Sequence, residues 1–101
     1  MERSQPAGAE ITDNATLVLP VVHLNGTSLS GLIEQRRSAC LAIEEAIVML
    51  NRAAPHGRDF YPVPGLMEAA RAQYERRVAL LRGLLIELES EVEQLNESRT
   101  R

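Results

Sequence analysis

Two apolar seams constrain this chain more than any other feature. The first comprises Leu29, Ile33, Arg36, Cys40, Ile43, Ile47, Leu50 and Ala54. The second comprises Met67, Arg71, Tyr74, Val78, Leu81, Leu85, Leu88, Val92 and Leu95. Both alternate steps of four and three residues, which puts each set on one stripe of an α-helix and requires a facing helix to cover it. A single arginine, Arg36 in one and Arg71 in the other, interrupts each seam.

Local signals bound the two helices. "NGTS" precedes the first, where Ser28 or Thr27 can cap it by accepting from an unpaired backbone N–H. Pro55 disfavours helix at Ala54, and Gly57 is expected to stop it in a left-handed conformation. The second helix is expected from Gly65 or Leu66, with Glu68 in the first turn, where the helix dipole favours an acid. The organisation is then an extended arm over residues 1–27, helix one over 28–54, an aromatic connector over 55–65, helix two over 66–96 and a polar tail over 97–101. Residues 1–15 read as a flexible arm. Residues 16–24 are β-rich and apolar, but a lone strand has no partner in a helical chain. That stretch is expected to lie along a helix or to pair with a partner's sheet edge.

Charge placement selects how the helices pair. Helix two is basic early (Arg71, Arg76, Arg77, Arg82) and acidic late (Glu87, Glu89, Glu91, Glu93), against the macrodipole preference. Folding the chain at about Phe60 brings Arg36 and Arg37 level with Glu87 and Glu91, Glu44 and Glu45 level with Arg76 and Arg77, and Arg52 level with Glu68. The expected fold is therefore all-α, an antiparallel two-helix hairpin of coiled-coil type with an extended N-terminal arm.

Composition narrows the function. Of 101 residues only 3% are aromatic, too few for an ordinary sandwich or barrel but adequate for helices packed with Leu, Ile, Val and Ala. The net charge of −3 predicts no general attraction to nucleic acid or anionic lipid. Cys40 is the only cysteine, so no intramolecular disulfide forms. "MERSQPAGAE" has no apolar core of a signal peptide, and "LVLPVVHL" is too short to span a bilayer, so a soluble intracellular product is expected.

No residue set points to catalysis. Cys40 occupies a seam position, where it acts as a small hydrophobe; His23 could approach it, but no third group would orient the pair. Two histidines and one cysteine make no convincing metal site, "EVEQLNE" lacks a calcium loop's glycine and ligand spacing, and there is no glycine-rich phosphate motif. No catalytic, metal or cofactor residue is assigned, and the chain is expected to be no enzyme. The arginines of helix two could touch phosphates, but pairing with Glu44 and Glu45 is the favoured reading.

Apolar surface remains after the seams are paired. Leu80, Gly83, Leu84 and Ile86 lie off the second seam, and Leu41 and Val48 off the first. Either the arm covers one of these stripes or they carry oligomerisation or docking, the reading favoured here because a two-helix core is marginal alone. Leu17, Val18, Leu19, Val21 and Val22 of the arm join the candidate partner-binding residues. So do Arg58, Phe60 and Tyr61 of the connector. Phe60 and Tyr61 can fold over Leu50, Ala54 and Met67 as a plug, or with Arg58 form a recognition tip.

"HLNGTS" before one helix and "HGRDFYP" between two resemble a group of small tailed-phage and prophage proteins without assigned function. The resemblance spans about residues 23–95 and omits the arm before Leu17. It implies a part in virion structure or assembly, in the virion or the host cytoplasm, and carries over no functional residues. The partners expected are other protein subunits, copies of the chain itself or phage virion proteins, with no membrane and no nucleic acid. The alternative is a soluble phage or bacterial adaptor or inhibitor that binds one protein through the hairpin.

Overall fold

A computed structural model describes residues 17–99, the side chain of Arg99 excepted. The flexible arm expected over residues 1–15 therefore lies outside the described residues, as does the end of the polar tail. Among the described residues there are two α-helices and no strand: α1 (Leu29–Arg52) and α2 (Leu66–Arg99) pack against each other as an antiparallel hairpin. The radius of gyration is 18.3 Å, against ~13 Å for a compact domain of this length. By helical rise α1 is ~36 Å long and α2 ~51 Å, so the helices are unequal. Helix α2 continues past residue 96 through Arg99, and α1 ends at Arg52, short of Ala54.

Both ends of α1 are capped as their residues dictate. Ser28, in extended backbone, accepts from the Gly31 N–H at 3.0 Å. At the other end the Ala53 N–H donates to the Leu50 carbonyl at 2.9 Å, closing the last turn tightly. A short 3-10 turn (Gly57–Asp59) follows, and Gly57 does not take the left-handed conformation expected of it. That conformation belongs to Gly65, at φ 82°, which reverses the chain directly before α2.

Seam residues fill the interface. Ile33, Cys40, Ile47 and Leu95 are buried, and Leu29, Ile43, Leu50, Met67, Tyr74, Val78, Leu81, Leu85, Leu88 and Val92 are half-buried. The main core cluster joins Leu32, Ile33 and Leu95, with Leu29 and Val92 packed on it. It sits at the end of the hairpin remote from the connector. Leu32 falls outside the heptad reading. It is buried because Leu29, Leu32 and Ile33 widen the apolar stripe where Leu95 meets it.

The register keeps the expected meeting of Arg36 with Glu91 but otherwise differs from a fold centred on Phe60. The Tyr74 hydroxyl donates to Asn51 Oδ1, and Arg36 meets Glu91, so Glu44 stands level with about residue 82. Arg76 and Arg77 are displaced by more than a turn from Glu44 and Glu45, and no ion pair joins these groups among the described residues. Arg52 likewise does not pair with Glu68. The cause is an overhang. The first two turns of α2 extend beyond the end of α1, and the connector folds down beside them. Arg71, a seam position by spacing, is exposed because α1 has ended at its level.

Candidate protein-docking surface

The connector is built around its own His56. His56 accepts from the Arg58 N–H through Nδ1 at 3.1 Å, and its Nε2 lies 3.3 Å from a guanidinium nitrogen of Arg58. The Asp59 N–H donates to the His56 carbonyl, while those of Phe60 and Tyr61 both donate to Gly57. These bonds hold Arg58 to His56, with no pairing to Asp59. The two rings that follow differ in burial. Phe60 is half-buried and lines a pocket of about 220 Å³ with Leu50, Ala54, Ala70 and Tyr74. Tyr61 is 77% exposed. Phe60 thus packs under the overhang, as expected of a plug, while Tyr61 and Arg58 are exposed.

"HLNGTS" is also a turn device. The Gly26 N–H donates to the His23 carbonyl at 3.1 Å, and a Cβ on Gly26 would stand 2.8 Å from the His23 ring. Ser28 then caps α1. His23 therefore belongs to an exposed turn, while Cys40 lies twelve residues past the Ser28 cap, ~18 Å from it by helical rise. The two do not form a reactive pair. Cys40 is buried, and burial, then Glu89 and Glu44, raise its thiol above the ordinary value of 9.0.

The described part of the arm, residues 17–27, meets the hairpin at one end. Leu19, Pro20 and Val22 border a groove with Leu29, Gln94, Leu95 and Ser98, beside the core cluster. Leu17 and Leu19 are half-buried, whereas Val18, Val21 and Leu24 are 86%, 78% and 97% exposed. Along the helices, Leu41 on α1 and Leu80, Leu84 and Ile86 on α2 remain exposed, as does Val48. Gly83 is buried between these positions and presents no side chain. A second groove, of about 310 Å³, runs between the helices and is lined by Arg37, Cys40, Leu41, Glu89 and Val92. Its floor is apolar and its rims carry opposite charges.

Neither membrane nor metal features emerge. No described helix is long and apolar enough to cross a membrane. No group of three or more His, Cys, Asp or Glu among the described residues is placed to hold a metal ion. Arg71, Arg76, Arg77 and Arg82 are all exposed, and helical spacing distributes them around α2, with Glu75 between them, so they form no basic stripe. No known family, curated protein or solved structure matches the chain.

Proposed function

We propose that this chain is a non-enzymatic docking protein that assembles in multiple copies, with itself or with the subunits of a larger protein body. One observation carries the reading. After α1 and α2 have covered each other's seams, Leu41, Val48, Leu80, Leu84 and Ile86 still stand exposed, and Leu19, Pro20 and Val22 of the arm border a different part of the hairpin. Apolar side chains repeated along both helices mark interaction surface. The resemblance of "HLNGTS" and "HGRDFYP" to small tailed-phage proteins supplies the setting, virion structure or assembly. Both stretches build turns here.

The native mass of the assembly, measured with its co-purifying proteins, tests this reading. Co-purification of capsid, portal or tail proteins, or a defined oligomer, supports it. A monomer that is also missing from purified phage particles overturns it. The outward Tyr61 and Arg58 favour a second reading, an adaptor or inhibitor that engages one protein by the connector. For that reading a Tyr61→Ala and Arg58→Ala double variant would lose a partner such as a polymerase, nuclease or repressor in a pull-down.

A further inference from the structure

The side of the hairpin that carries the Cys40 groove has a pattern that is complementary to itself. On α1, Arg37 precedes the exposed Leu41 by four residues and Glu45 follows it by four. On α2, Arg82 precedes the exposed Ile86 by four and Glu89 follows it by three. All four charged residues are exposed, and none makes an ion pair among the described residues.

Three geometric facts place the two patterns together. Glu89 lines the groove with Arg37 and Leu41, and Ile86, one turn from Glu89, shares its face of α2. The Tyr74–Asn51 bond and the Arg36–Glu91 contact put Leu41 level with about residue 85, hence level with Ile86. The arm's groove is bordered by Gln94 and Ser98 and has no residue in common with this one, so no described residue outside the hairpin lines this side.

We infer that a second copy of this chain docks on this face, by a two-fold axis passing across the hairpin at the level of Leu41 and Ile86, to give an antiparallel four-helix bundle. The axis sets Leu41 against Leu41 and Ile86 against Ile86 of the second copy. It exchanges Arg37 with Glu45 and Arg82 with Glu89, so each arginine meets a carboxylate on both sides of the axis. A register centred between Leu41 and Val48 would instead oppose Arg37 to Arg52 and Glu44 to Glu45, like charges that reject it. The α1 length of ~36 Å and a width of two helices at ~10 Å each give ~1,400 Å² of buried surface over both copies, within the range of specific interfaces. The proposal specifies the self-association allowed by the docking reading and rests on it.

The test is cross-linking on the full chain with its native cysteine removed. Cys40→Ala with Leu41→Cys should form a covalent dimer on mild oxidation. Cys40→Ala with Val48→Cys should not, because its counterpart lies ~21 Å away along the axis. In sedimentation equilibrium, Arg37→Glu should weaken the dimer by about tenfold or more, and Arg37→Glu with Glu45→Arg should recover it. A dimer that cross-links through Val48→Cys and not Leu41→Cys overturns the proposed axis and its register but leaves self-association standing. A chain that is monomeric alone yet co-purifies with other subunits overturns the dimer and keeps the docking reading. A monomer with no partner overturns both.

Discussion

Arg36 Nε lies 3.5 Å from Glu91 Oε1 across the helix seam, with only 23% and 14% of the two side chains exposed. The arginine that interrupts the first seam is thus the half of an ion pair that links α1 to α2. Its terminal nitrogen also donates to the Leu32 carbonyl at 3.3 Å and to Gln35 Oε1 at 3.2 Å, while Nε itself makes no aligned hydrogen bond. Removing Glu91 leaves a shielded cation without its counter-charge, so Glu91→Ala should cost ~1–3 kcal/mol in urea unfolding. Replacing both members, Arg36→Leu with Glu91→Leu, completes the heptad and should be nearly neutral or stabilising, because packed hydrophobes replace a pair that is costly to desolvate. Equal losses from the two variants would count against this asymmetry.

Phe60 and Tyr61 are adjacent and should behave differently. Phe60→Ala empties the half-buried site beside Leu50 and Tyr74 and should destabilise the hairpin by ~1–3 kcal/mol. Tyr61→Ala should stay within ~0.5 kcal/mol. Thermal melts followed by circular dichroism distinguish them. Comparable shifts would show that Tyr61 also contributes to closure.

Among the connector's glycines, Gly65 is the one held at positive φ. Gly65→Ala should cost ~1 kcal/mol, since a Cβ at φ 82° is strained even in open space. Gly57→Ala meets nothing within 4 Å and sits at ordinary φ, so it should be neutral or stabilise by up to ~1 kcal/mol through the unfolded chain. Denaturant midpoints of the two variants check the contrast.

Cys40 links stability to alkaline pH. Burial first, then Glu89 and Glu44, hold its thiol protonated above the ordinary value of 9.0. The unfolded thiol ionises at lower pH than the folded one. Its contribution is therefore complete below pH ~9 and is lost as pH rises through the folded value. The urea midpoint of the wild type should fall more steeply above pH ~9 than that of Cys40→Ala. Labelling of the native thiol at neutral pH should also be at least ~10-fold slower than in urea. Parallel pH profiles for the two proteins would remove Cys40 from the linkage.

The register predicts a null result at one tempting site. Reversing Glu44 and Glu45 to Arg, with Arg76 and Arg77 reversed to Glu, should show coupling below ~0.5 kcal/mol, because the groups are more than a turn apart. The same cycle on Arg36 and Glu91 should show clear coupling. A large value in the first cycle would mean a different alignment of the helices in solution.

Much of this architecture is legible in the residues. Heptad spacing alone separates the seam-facing Ile33, Cys40, Ile47 and Leu95 from the exposed Leu41 and Val48, because periodicity reports the direction of a side chain. Ser28 is readable as a cap for a similar local reason. Alignment along the axis was harder to read. It depends on how the connector is laid down, and His56, Gly57 and Gly65 place it beside α2 rather than symmetrically between the helices. The division of labour between Phe60 and Tyr61 follows from the same turn and has no counterpart in hydropathy. Of the candidate docking residues, Val18, Val21, Tyr61 and Ile86 stand exposed, whereas Gly83 is buried by its surroundings, which spacing alone does not describe.

The best-packed layer, Leu32 and Ile33 against Leu95, joins residues about sixty positions apart and lies at the open end of the hairpin. A pull on the outer ends of α1 and α2 would therefore load its strongest contact first. Once that layer failed, the rest would unzip toward Tyr74 and Asn51 against weaker resistance. Such a molecule is a clasp fastened at its mouth. It yields abruptly under tension, and in folding it must close its most distant contacts before its core is complete.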